Sequence, residues 1–85
     1  MKPTDHAVGR SVERHGVNGK KRNRHRKVAA AVREAMEKGI VAPDPVHPWE
    51  AEVMHPDGRR WMVDLVTRRV ITALPKLDTN RKEKR

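Results

Sequence analysis

The chain has 85 residues, with 20 Lys and Arg against 11 Asp and Glu. The formal net charge of +9 favours a polyanionic partner such as RNA, DNA or an acidic protein. Cysteine is absent, which excludes a disulfide framework and a thiolate zinc finger, and no apolar run approaches the ~20 residues of a membrane-spanning helix. With 35% hydrophobic and 36% charged residues, only a small core is affordable, its bulk supplied by two Trp and four Met without Phe or Tyr.

The N-terminal stretch MKPTDHAVGR lacks the apolar centre of a signal peptide, so a soluble cytoplasmic protein is expected. Thr4 or Asp5 can cap a first helix over about 5–15, with Pro3 just outside it. Gly16 stands where a left-handed ending is wanted, with Val17 folding back on Val12. Val8, Ser11, Val12 and His15 form a thin stripe able to dock on a sheet. His6, Arg10 and Arg14, at i, i+4 and i+8, form a neighbouring row. One His and two Arg in a row can do chemistry, but the same row with Glu13 is also an ordinary solvated face.

Residues 18–27 are expected to form a basic loop. Six of the eight residues Lys20, Lys21, Arg22, Asn23, Arg24, His25, Arg26 and Lys27 are Lys or Arg. Charges this dense repel one another unless an anion sits among them, so this is either a phosphate-binding arm or a disordered loop with a frayed helix start. Val28, Val32, Ala35 and Met36 give the one-sided stripe of a second helix. Glu34 and Lys38 are a favourable i, i+4 pair, and Gly39 closes the helix with Ile40 folding back on Ala35.

Residues 41–48 hold Pro43, Pro45 and Pro48, and are expected to be extended without regular pairing. Trp49, Ala51 and Val53 alternate with Glu50 and Glu52, the period-2 pattern of a half-buried strand. Pro56-Asp57-Gly58 is a hairpin turn. A second strand over 60–66 places Trp61, Val63 and Leu65 on one face. After Thr67-Arg68-Arg69 a third strand, Val70 to Leu74, is stopped by Pro75. The reading is an α+β fold: two N-terminal helices on a three-stranded antiparallel meander, a single domain over 1–75, and a charged mobile tail over 76–85.

None of the five histidines has metal-site spacing, carboxylates are dispersed, and no glycine-rich phosphate loop is present, so neither a metal nor a cofactor is expected. What remains is metal-free phosphodiester chemistry on RNA. That reaction needs a base for the 2′-OH proton, an acid for the leaving oxygen, and cations for the developing charge. Histidine and arginine are those residue types.

The pattern His6-Ala7-x-x-Arg10, Glu13-Arg14-His15-Gly16-Val17, a helix ending at Gly39 and the strand Arg69-Val70-Ile71-Thr72 resembles one branch of small toxins. This is the HAxxR-type branch of the RelE-like (barnase–EndoU–colicin–RelE) superfamily. The resemblance implies helices against an antiparallel sheet and a ribonuclease of a toxin–antitoxin or phage-conflict system. It would place His6, Arg10 and Arg14 at a cleft with Thr72 facing them from the last strand, and His15 as a weaker candidate. The chain departs from that pattern in its long basic run, its lack of Tyr and its Pro75.

Two functions are therefore expected as alternatives. One is a metal-independent endoribonuclease acting on mRNA, tRNA or the ribosome and neutralised by an acidic antitoxin. In it His6 is base or acid, Arg10 and Arg14 clamp phosphate, and Thr72 positions the substrate. Lys20, Lys21, Arg22, Arg24, Arg26 and Lys27 hold the RNA backbone. The other is a non-enzymatic basic effector, of a kind a phage could encode, that binds nucleic acid or a host protein.

Overall fold

The computed structural model describes residues 1–76, the side chain of Lys21 excepted. The expected tail, from residue 77 onward, lies outside the described residues. Thr4 opens helix α1 (Asp5–His15): its Oγ1 accepts from the Ala7 backbone N–H at 3.1 Å. Gly16 closes α1 in the left-handed region at φ 69°. Helix α2 (Lys21–Lys38) is longer than expected, because the basic run forms its first two turns and leaves only residues 16–20 as a link. Lys and Arg are good helix formers; what hid the helix start was the lack of any apolar period before Val28.

The sheet has five strands instead of three. β1 (Lys2–Pro3) runs parallel to β5 (Arg69–Leu74), which is followed across the sheet by β4 (Arg60–Asp64), β3 (Glu50–Met54) and β2 (Ile40–Pro43). The β2–β3–β4–β5 part is antiparallel throughout. The class is thus α+β, with a mixed sheet where a pure meander was expected. β1 is too short to show a period. β2 lay inside the stretch read as unpaired, yet its proline is compatible with an edge: the Asp44 N–H donates inward to Glu50, so by alternation the Pro43 nitrogen faces outward, where no donor is needed.

Both helices cover one face. The core is Ala7 and Val8 from α1, Val28, Val32 and Ala35 from α2, and Ala51, Val53, Trp61, Val63, Val70 and Ala73 from the sheet. Trp61 is its one large ring, and its indole N–H reaches the buried Ser11 hydroxyl at 3.4 Å, so α1 and α2 share the cover of the sheet. Leu65, expected beside Trp61 and Val63, lies past the end of β4 and is 37% exposed. Trp49 likewise precedes β3 and is half-exposed.

Gly39 ends α2, but not in the left-handed region: its φ is −103° and its N–H bonds to the Ala35 carbonyl. A glycine is required for another reason, since a Cβ there would sit 1.8 Å from the Met54 carbonyl oxygen. Ile40 does not fold back on Ala35; it is an exposed residue of β2.

Candidate nucleic-acid interface

Among the described residues, the first two turns of α2 carry the densest run of cations. Lys20 is the N-cap without a side-chain cap bond, and the first turn holds no acidic residue. Cations here oppose the positive end of the helix dipole. Arg22 and Arg26 share one helix face at i, i+4, a like-charge pair that weakens an isolated helix. Both are exposed, as is Lys20.

Two further cations of the run, Arg24 and Lys27, hold the link. Arg24 Nε donates to the Gly19 carbonyl at 2.7 Å, and Lys27 Nζ to the Asn18 carbonyl at 2.8 Å. These two bonds tie residues 18 and 19 onto α2, and free Lys20, Arg22 and Arg26 to point at solvent. His25 Nε2 lies 3.1 Å from Asp5 Oδ1 on α1. Between the helices is a groove of about 450 Å³ lined by Asp5, Val8, Gly9, Val12, Arg24 and His25. No sequence pattern pairs His25 with Asp5, since only the approach of the two helices brings positions 5 and 25 together.

The row His6, Arg10 and Arg14 is present on α1, but its members differ. His6 is exposed. Arg10 Nη1 is 3.1 Å from Glu13 Oε2, and Arg14 Nη1 donates to the Ala73 carbonyl at 3.1 Å. Thr72 pairs in register with Met62, whereas the helix-facing residues are Trp61, Val63, Val70 and Ala73. Thr72 therefore lies on the far face of the sheet from α1. The structure does not bring it together with His6, Arg10 and Arg14.

His15 is a structural histidine. Its Nε2–H donates to the Leu74 carbonyl at 2.8 Å, and its ring stands edge-on to Trp61. Burial pushes its pKa below the ordinary 6.5, partly countered by the Leu74 bond. The other ring nitrogen, Nδ1, is buried without a partner among the described residues.

His55 bonds through Nε2 to Glu34 of α2 and accepts the Asp57 backbone N–H at Nδ1, which joins the helix to the β3–β4 turn. That bond holds the Glu34 carboxyl below the usual range. One set of three side chains with metal-ligating atoms does come together among the described residues. Asp44, His47 and Glu50 offer atoms within 4.8 Å of one another. Asp44 Oδ1 already accepts from the Val46 and His47 backbone N–H groups, so its first role is to shape the turn.

No protein-family model, curated protein or solved structure matches the chain.

Proposed function

We propose that the chain binds polynucleotide, RNA in the first instance, through the exposed cations at the start of α2. The observation that carries this reading is a local conflict. Lys20, Arg22 and Arg26 crowd the positive end of a helix with no acidic residue in its first turn, while Arg24 and Lys27 are used to hold that end in shape. An isolated helix gains from the opposite charge order. A phosphate backbone relieves the conflict by supplying anions at the spacing of a strand and releasing its counterions.

The RelE-like likeness belongs to the same proposal. It is supported by two helices on one face of antiparallel strands, and by an exposed His6 one turn from Arg10. A metal-independent endoribonuclease built on that pair is the second reading. Arg14 and Thr72 support it less, since Arg14 is bonded to the end of β5 and Thr72 is on the other side of the sheet.

One experiment separates the two. Total RNA is incubated with protein in EDTA, and binding to a single-stranded RNA is measured in parallel, for wild type, Lys20→Ala/Arg22→Ala/Arg26→Ala and His6→Ala/Arg10→Ala. Intact RNA throughout, with binding lost only in the α2 variant, is expected. Discrete fragments that vanish in His6→Ala/Arg10→Ala would replace this reading with the ribonuclease. Binding indifferent to the α2 substitutions would remove the interface.

A further inference from the structure

A second cationic surface lies away from the start of α2. The turn between β4 and β5 exposes Leu65 at 37% and Val66 at 77%. It is not a loose tip: Asp64 Oδ1 accepts the Val66 and Thr67 N–H groups, and Arg68 sits in the left-handed region at φ 58°. Leu65 is fixed further by its N–H bond to the carbonyl of Trp49, itself 46% exposed. Apolar groups presented on an ordered turn need little further ordering when a partner arrives.

Against this turn, α2 leaves a groove of about 300 Å³ whose floor is Met1, Met36 and Leu65 and whose charged rim is Arg33 and Arg68. A neighbouring hollow of about 390 Å³ shares Met1 and Arg68 and adds Lys2, Thr67 and Arg69. No carboxylate lines either one. Lys2, Arg33, Arg68 and Arg69 form no ion pair among the described residues.

We propose that this groove docks an acidic amphipathic segment of another protein. The combination of floor and rim selects that chemistry. A purely apolar partner would desolvate Arg33 and Arg68 without pairing them, which costs free energy. A nucleic-acid backbone would pair the arginines but leave Leu65, Val66 and the methionines in water. A segment with apolar anchors along one stripe and carboxylates beside them satisfies both, in the helix-in-groove manner. The site uses none of Lys20, Arg22 and Arg26, so it stands or falls separately from polynucleotide binding.

The probe is a synthetic amphipathic peptide of leucine and glutamate, with a leucine-free glutamate–serine peptide, phosphatidylserine vesicles and single-stranded RNA as comparisons. Binding is read by fluorescence anisotropy or co-sedimentation. The variants are Arg33→Glu/Arg68→Asn, asparagine being chosen because it tolerates the left-handed region, and Leu65→Ser, with thermal unfolding recorded for each. Either variant is expected to weaken the leucine–glutamate peptide by about tenfold or more. The leucine-free peptide should bind wild type correspondingly less well. Lys20→Ala/Arg22→Ala/Arg26→Ala should leave the peptide's affinity within about threefold. Equal affinity for the two peptides, or unchanged binding by both folded variants, would overturn the proposal. So would loss of vesicle or RNA binding in Arg33→Glu/Arg68→Asn with the peptide retained.

Discussion

The His15 imidazole meets the Trp61 indole edge-on, with 5.1 Å between ring centroids and 88° between planes, while its Nε2–H is bonded to Leu74. One histidine thus ties the end of α1 to the core's one large ring and to the end of β5. Its neutral form suits that place. Burial lowers its folded pKa below 6.5, so the unfolded chain takes up the proton first. The stability this group allows is complete above pH about 6.5 and declines as pH falls through that value towards the lower folded pKa. Urea midpoints for wild type should drop between pH 7.5 and 5.5 more steeply than for His15→Gln. Parallel pH dependences in the two proteins would show that His15 is not the group responsible.

Thr4 ties α1 to β5 through one hydroxyl. Its Oγ1 caps α1 at Ala7 and lies 3.0 and 3.2 Å from the Val70 and Ile71 carbonyls. Those carbonyls come within its reach at the irregularity in β5, where Met62 faces Thr72 and Val63 faces Val70, leaving Ile71 without a partner. Thr4→Ala removes the cap and the anchor, and should cost about 1–2 kcal/mol by chemical denaturation. Thr4→Ser, which keeps the oxygen, should recover most of it.

Two glycines make a matched pair. A Cβ at Gly39 would meet the Met54 carbonyl oxygen at 1.8 Å, whereas one at Gly9 meets nothing within 4 Å. Gly39→Ala must push α2 away from β3, and should destabilise by about 2 kcal/mol or more. Gly9→Ala, inside α1, should stabilise by ~0.5–1 kcal/mol, because alanine is the better helix former. Denaturation midpoints moving in the same direction would contradict the packing at one of the two sites.

The parts of the fold that were legible in the sequence are those fixed by local chemistry. Thr4 and Gly16 bracket α1, the alternation from Ala51 to Val53 and from Trp61 to Val63 marks the central strands, and the turn at 56–58 joins them. The parts that were missed depend on distant partners. β1 exists because Lys2 and Thr4 bond to the Arg68 and Val70 carbonyls, 66 residues away in each case. β2 is exposed along its length and so shows no alternation, and Pro43 disguised it as a connection.

The candidate site divides in the same way. The basic run could be read directly, but its helical presentation could not, since six charges carry no apolar period. That Arg14 is bonded to Ala73, and that Thr72 faces away from α1, follow from strand register, where a shift of one residue exchanges the faces. The Ile71 irregularity lies immediately before Thr72, where no local signal in Val70-Ile71-Thr72 marks it.

The most direct test of polynucleotide binding by α2 is the salt dependence of affinity for a single-stranded RNA, measured for wild type and for Lys20→Ala/Arg22→Ala/Arg26→Ala. Each phosphate contact contributes about 0.7 to the slope of log K against log salt. Three lost contacts should make the slope shallower by about 2, with weaker binding at low salt and an unchanged folding midpoint. Equal slopes and equal affinities would contradict the assignment and place the RNA, if it binds, elsewhere on the molecule.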